Sequence, residues 1–253
     1  MSSDSTGTAL HEPTHAAVSA ARRAFGDWAG RDATERGRVL YRAGLAVERD
    51  RDRLAEQVAE AENVSADQAR ALVDTAVERW LWYAGWADKL GVVFGGANPV
   101  AGPFLSVTAP EPIGVVGVLA PQRSTLLGLV SVVAPVLATG NTCVVVPGGS
   151  RPGPARVLAE ALAGGGLPGG VLNLVSGRPG ELGRVLAAHA GVDGLDLTGA
   201  DAQDRAELER TAANTVKRTP RTPVDEPDWT ERPGLERLRS FVELKTVWHT
   251  VGT

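Results

Sequence analysis

The chain predicts an α/β architecture: a parallel sheet clothed by helices, preceded by further helices and closed by a small β element. Three observations carry this. Residues 113–119 and 142–146 are short apolar runs rich in Val, the pattern of strands buried on both faces. Between them, residues 125–138 form an amphipathic stretch long enough for three or more helical turns, stopped by Gly140-Asn141. The unit therefore reads β-α-β with a right-handed crossover, and the same alternation repeats twice more before residue 200.

Bulk properties narrow the function classes. With 253 residues the chain can bury a sizeable core in one or two domains. A net charge of -4 and no basic run or aromatic-interleaved stripe argue against a nucleic-acid partner. No apolar stretch reaches membrane-spanning length without interruption, and the start lacks a signal-peptide core, so no membrane association and a cytoplasmic location are expected. The single cysteine, Cys143, rules out an internal disulfide.

Taken in order, residues 1–14 are polar and are expected to be a disordered tail, although His11 and His15 have the i, i+4 spacing of a metal-binding pair on a helix face. Residues 15–91 read as helices, with apolar positions such as Val39, Leu40, Ala43 and Val47 recurring at three and four residues. The last of them places Leu72, Val73, Ala76, Trp80, Tyr83 and Ala87 on one face and Trp82 and Trp86 on another. Such a helix needs cover on more than one side, from the chain's own sheet or from a neighbouring subunit. Residues 92–112 are punctuated by Gly and Pro, with extended segments at 92–94 and 104–108.

From 113 onward the strands are 113–119, 142–146, 171–175 and 195–198, and the helices 125–138, 152–163 and 179–189, Pro152 suiting a first helical turn. The Gly-rich run 164–170 follows a helix and precedes a strand. It reads as a C-cap and turn, because an anion cradle needs the N–H groups of a helix start. Residues 201–240 hold nine acidic and eight basic residues and four prolines, with no sustained apolar period; one helix fits 201–216 and a linker 217–233. Residues 241–249 alternate again, with Val242, Leu244, Thr246 and Trp248 on one face of a strand.

Four consecutive segments, EPIGVVGVLAP, APVLATGNTCVVVP, GLPGGVLNLVSG and DGLDLTG, fall in the order and spacing of the cofactor domain of NAD(P)-dependent aldehyde dehydrogenases, which this region resembles. The resemblance extends upstream to about Ala16 through AFGDW, ERGRVLYRAG and WYAGWADKLG, and stops just past Gly199. It implies a Rossmann-like domain at 113–200 after N-terminal helices at 15–91. It further implies an oligomerisation hairpin at 92–112, a charged linker at 201–240 where the family has its catalytic domain, and a terminal oligomerisation strand at 241–253.

The resemblance also exposes what has changed. The family's thiol nucleophile and water-activating carboxylate follow the strand that ends near Thr198, and nothing here matches either motif. Cys143 sits in an apolar strand and reads as a packed core residue. Arg123 stands where the family has the Asn that donates to the oxyanion. By resemblance the cofactor positions are Ala120, Pro121, Pro147, Gly148, Gly177, Thr198 and Gly199. The family's Lys-Pro-(Ala/Ser)-Glu, however, is Val146-Pro147-Gly148-Gly149, and its Phe-Thr-Gly-Ser is Leu197-Thr198-Gly199-Ala200. These changes predict that no cofactor is held, NAD(P) being the one the resemblance would bring.

Arg123, Arg151 and Arg178 follow the carboxyl ends of three successive strands and form either an anion-binding edge or three solvated arginines. The leading expectation is a catalytically inactive relative acting in assembly with itself or with a full-length aldehyde dehydrogenase. The alternatives are an NAD(P)-dependent oxidoreductase subunit completed by a partner's thiol and an anion-binding module.

Overall fold

The computed structural model describes the backbone of residues 4–221 and 225–251. The elements are, in chain order, α1 (Asp4–Ala29), α2 (Ala33–Arg49), α3 (Arg51–Glu62), α4 (Ala66–Ala84), α5 (Leu90–Phe94), β1 (Gly96–Asn98), β2 (Phe104–Pro112), β3 (Val115–Leu119) and α6 (Leu127–Ala138). They continue with β4 (Thr142–Val146), α7 (Gly153–Gly164), β5 (Leu172–Leu174), α8 (Pro179–Ala188), β6 (Gly194–Asp196), α9 (Ala202–Ala213), α10 (Glu236–Ser240) and β7 (Val242–Thr250). Four strands form the parallel sheet in the order β5-β4-β3-β6, and three form an antiparallel sheet in the order β1-β2-β7.

Successive residues of β3 and β4 face opposite layers, which is why both strands are apolar throughout. Val116, Val118, Cys143 and Val145 pack towards α6, α7 and the helices α2 to α4. Val115, Leu119, Val144 and Val146 pack towards α8, α9 and the Val18–Ala21 turn of α1. The Gly-rich run behaves as a cap: α7 ends at Gly164, and Gly166 and Gly170 take φ of +93° and +84°, where a side chain is disfavoured.

α6 is buried at all twelve positions, so the expected amphipathic stretch is apolar around its whole circumference. Its last carbonyls are met by side-chain donors, two of them from far away in sequence. Trp28 Nε1 donates to Leu137 O at 3.2 Å and Arg36 Nε to Ala138 O at 3.2 Å, while Thr139 Oγ1 donates to Pro135 O and Val136 O. Burial holds the Arg36 guanidinium below its ordinary value, Asp32 working in the other direction. α4 lies on α6, α2 and α3 rather than on the sheet, so Tyr83 is buried, Trp80 is buried with its Nε1 donating to Leu40 O of α2 at 2.8 Å, and Trp82 and Trp86 are half-buried.

Several expectations are corrected. Residues 4–14 continue α1 instead of forming a disordered tail, and Thr14 is fully buried, because α1 docks along β4 and α8. Residues 90–94 form the helical turn α5, and the hairpin begins only at Gly96. Residues 217–233 do not merely link: within the described part, Arg79 Nη2 donates to Trp229 O at 2.7 Å and Glu231 O at 2.6 Å, and Trp229 is buried. Charge misled the reading, because Glu226 and Arg218 of this segment bond to distant parts of the chain. The side chain of His11 lies outside the described residues; His15 Nδ1 is 2.7 Å from Nε2 of His189.

β7 pairs antiparallel with β2 over its whole length, from Phe104 opposite Thr250 to Pro112 opposite Val242. Asn98 Nδ2 donates to Ser106 Oγ and Thr108 Oγ1, and Thr108 and Thr246 share a hydroxyl–hydroxyl bond of 2.8 Å, so a polar row stitches the three strands. Phe241, just before β7, and Val242 at its start are buried, whereas Leu244, Val247 and Trp248 are exposed.

Asn141 ties the layers together. Its Oδ1 accepts from Gly114 N at 2.8 Å, and its Nδ2 donates to Thr139 Oγ1 at 2.8 Å and to Phe241 O at 2.7 Å, all in a fully buried setting. Asn141→Ala is therefore expected to lower unfolding stability by about 2 kcal/mol or more, each orphaned buried group costing roughly 1–3 kcal/mol. Urea denaturation measures this; an unchanged midpoint would show that the three elements are held without it.

Candidate functional site

The carboxyl edge of the parallel sheet is where an open α/β fold places a ligand. Here β3 runs into the turn 120–125, β4 into Pro147-Gly148-Gly149 and β6 into Leu197-Thr198-Gly199. The three ends touch through backbone. A Cβ on Gly148 would stand 1.7 Å from Pro121 O, and one on Gly199 would stand 1.8 Å from Ala120 O. Glycine is required at both by close approach. Ala120 N donates to Val146 O at 3.0 Å and Gly199 N to Leu119 O at 2.8 Å, which fixes the contact.

The amides of the turn are taken up by the chain's own acceptors. Glu226 Oε1 accepts from Gln122 N at 2.6 Å and from Arg123 N at 3.0 Å, while Trp229 Nε1 donates to Glu226 Oε2 at 3.4 Å. Glu62 Oε1 accepts from Thr125 N at 2.6 Å and Thr125 Oγ1 at 2.8 Å. Gln122 closes the remaining gap: its Nε2 donates to Ala120 O and its Oε1 accepts from Gly149 N. At the start of α9, Asp201 is the N-cap and Asp204 lies in the first turn, the latter paired with Arg184 at 2.8 Å. Two carboxylates thus stand at the positive end of that helix.

A buried ion pair anchors the far side. Asp196 is wholly inaccessible and accepts from Thr198 N at 2.9 Å, from Thr198 Oγ1 and from Arg237 Nη1 at 2.9 Å. Arg237 also donates to Thr198 Oγ1 at 3.1 Å and lies over the Trp229 ring at 5.3 Å. With its lone pairs engaged, Asp196 meets the condition under which a buried charge is tolerated.

The sequence-derived residues distribute unevenly over this edge. Ala120, Pro121, Gly148, Thr198 and Gly199 come together there, with Pro147 half-buried beside Gly148. Gly177 lies in the exposed loop between β5 and α8. Of the three arginines, Arg151 pairs with Glu60 of α3 and Arg178 with Glu181 of its own helix at 3.2 Å, while the exposed Arg123 meets Glu226 through its backbone. Cys143 is fully buried in the middle of β4, and burial pushes its thiol far above the ordinary range. Among the described residues no cluster of three or more His, Cys, Asp or Glu could hold a metal.

Sequence reasoning missed Glu226, Glu62, Asp196 and Arg237. Asp196 carried a signal, a charge inside an otherwise apolar strand, which demands a partner. Glu226 carried none, being 103 residues from Arg123.

The comparisons with known proteins agree with this geometry. The profile of the "Aldehyde dehydrogenase family" matches residues 5–220. "Aldehyde dehydrogenase, cytosolic 1" of Elephantulus edwardii is 35% identical over 211 residues, covering 82% of this chain and 42% of that protein. Human "Retinal dehydrogenase 2" is 35% identical over 208 residues, covering 80% of this chain and 39% of the relative. Among solved structures, HpcC from Thermus thermophilus superposes with a TM-score of 0.77 at 34% identity, covering 83% of this chain and 40% of its own. Betaine aldehyde dehydrogenase from Staphylococcus aureus, solved as a double mutant in complex with NAD+, gives 0.77 at 30% identity, covering 83% and 42%. The chain spans about two-fifths of the length of the curated relatives it matches. Described residues 221 and 225–251, which supply Glu226, Trp229 and Arg237, lie beyond the profile match. With its β-α-β core, helices and sheet-edge turns in the family's order, the chain belongs to the aldehyde dehydrogenase family.

Proposed function

We propose that this chain is a catalytically silent aldehyde dehydrogenase relative whose work is assembly, pairing with a second copy of itself or with a full-length relative. The observation that carries this reading is the β2–β7 ribbon. β7 pairs with β2 on one side only, so a nine-residue strand offers its other row of N–H and C=O groups outward. Leu105, Val107, Leu244, Val247 and Trp248 are exposed on it, and Trp248 packs edge-on against Phe104 at 6.0 Å. Burying the larger of these side chains would contribute roughly 1.5–3 kcal/mol each, enough to make an edge pairing specific.

The chemistry of the sheet edge supports silence. The only cysteine is walled into β4 as a neutral thiol, and a thiolate is what attacks an aldehyde. The residues present also do not fit a dinucleotide. Its phosphates would meet Asp201 and Asp204 at the start of α9, where like charges repel, and the turn amides are already bonded to Glu226. Val146 is buried and Gly149 has no side chain to grip a ribose. The partner-completed oxidoreductase reading requires this chain to present NAD(P), so the same carboxylates weigh against it.

Two outcomes follow. The purified chain should give no NAD(P)-dependent aldehyde oxidation, and Cys143 should react with a thiol reagent slowly when native and rapidly when unfolded. Turnover abolished by Cys143→Ser would overturn the silent reading.

Leu244→Asp combined with Trp248→Asp should lower the mass measured by light scattering, or release a co-expressed full-length relative. The unfolding midpoint should meanwhile shift by only about 0.5 kcal/mol, as for other surface changes. Truncation before residue 244 is the companion test, since Phe241 and Val242 belong to the core. A wild-type chain that is monomeric and captures no full-length relative would sink the assembly reading.

A further inference from the structure

β7 is a long, regular sheet edge without the devices that usually protect one. Its nine residues pair with β2 without a bulge, contain no proline and, Val242 excepted, are exposed. Its one lysine, Lys245, is turned towards Glu111 of β2, with Nζ 3.1 Å from Oε1. The opposite edge of this sheet is the three-residue β1, so β7 is where the sheet can grow.

The backbone phase of that edge is fixed. Val251 N donates to Pro103 O at 2.8 Å, one step beyond the pairing of Phe104 with Thr250. Hydrogen-bonded and non-hydrogen-bonded pairs alternate along an antiparallel ladder, so Glu243, Lys245, Val247 and His249 direct their N–H and C=O groups to β2. Leu244, Thr246 and Trp248 therefore direct theirs outwards. Two contacts agree with this phase. The Thr108 and Thr246 hydroxyls meet at 2.8 Å, as the closer non-hydrogen-bonded pairs allow, and Val242 O, of the outward phase, accepts from Arg218 Nη1 at 2.9 Å.

We propose that β7 pairs with β7 of a second copy about a two-fold axis through Thr246, joining two three-stranded sheets into one. A two-fold axis normal to the sheet makes the added strand antiparallel, and only outward residues can face each other in hydrogen-bonded pairs. Side chains then decide the register. Centring on Lys245 opposes like charges, and centring on Val247 sets Lys245 opposite His249. Centring on Thr246 brings Leu244 of each copy beside Trp248 of the other. It also sets Glu243, which pairs with Arg218 in its own copy, opposite His249, and it alone overlaps all nine residues. Leu244 and Trp248 are 43% and 60% exposed in one copy, so this register covers the largest apolar side chain of the edge. The proposal rests on the assembly reading above and narrows it to a homodimer through this edge.

Oxidation of full-chain variants carrying one introduced cysteine tests the register, the native Cys143 being fully buried. Cα atoms of a hydrogen-bonded pair stand about 5.5 Å apart, within disulfide reach, whereas residues two places out of register stand about 7–8 Å apart. Thr246→Cys should therefore cross-link into a dimer about fivefold more than Lys245→Cys or Val247→Cys, which mark the centres of the neighbouring registers. A second measurement does not depend on disulfide geometry. Thr246→Lys should raise the dimer dissociation constant about tenfold in light scattering, and mixing it with Thr246→Glu should restore association. Cross-linking led by Lys245→Cys or Val247→Cys, or a dimer indifferent to Thr246→Lys, would overturn the proposal and leave the assembly reading standing. A wild-type chain that is monomeric alone yet captures a full-length relative would do the same. A chain that does neither ends both.

Discussion

The constraint on which the structure turns is α6, a helix with no polar face. Such a helix has no solvent side, so every element around it exists in part as cover. The sheet takes one flank, α4 and its neighbours another, and α10 with Trp229, Leu238 and Phe241 the last. Its C-terminal carbonyls then need donors inside the protein, and Trp28, Arg36 and Thr139 reach them from three directions. The same logic explains why Ser131, the helix's only side-chain hydroxyl, bonds both Leu127 O and the Arg79 guanidinium.

That need for cover gives the segment after residue 213 a structural task, and its charges are placed accordingly. Arg237 enters the body to meet Asp196, Glu226 turns back onto the β3 turn, and Arg218 holds β7 by donating to Val242 O at 2.9 Å and pairing with Glu243. The Arg237–Asp196 pair is internal, so salt should weaken it less than it weakens the exposed pairs on the outer helices. The consequence for function is electrostatic: the edge where the family's fold would greet phosphates is ringed by Glu62, Glu226, Asp201 and Asp204.

Much of the architecture was legible because it is written in local pattern. β4 spans the residues its apolar run marks out, and β3, α7, α8 and β5 differ from their sequence limits by only one or two residues. Frayed ends account for such differences. What was not legible depends on distant partners. The pairing of Glu226 with the turn at 122–123, of Arg79 with Trp229, and of Asp196 with Arg237 leaves no local period, so a charged segment that docks looks like one that is solvated. α5 was misread for a different reason: Leu90-Gly91-Val92-Val93-Phe94 has strand-like composition, but its Val93 N–H is bonded to Lys89 O in a turn that ends at Gly95. At the candidate site, five of the resemblance-derived residues did converge, while Arg151 and Arg178 were already engaged by neighbouring carboxylates.

The close approach of the three strand ends also limits which side chains the corner can hold. To restore the side chains that the family uses beside its second strand, a Lys would have to replace Val146 in a fully buried position, an Ala or Ser would have to replace Gly148 with its Cβ 1.7 Å from Pro121 O, and a Glu would have to adopt the φ of +75° that Gly149 holds. Each change alone is uphill, and only a concerted shift of the 120–123 turn would make them compatible. The corner therefore accepts such side chains only together with a moved 120–123 turn, and not one at a time.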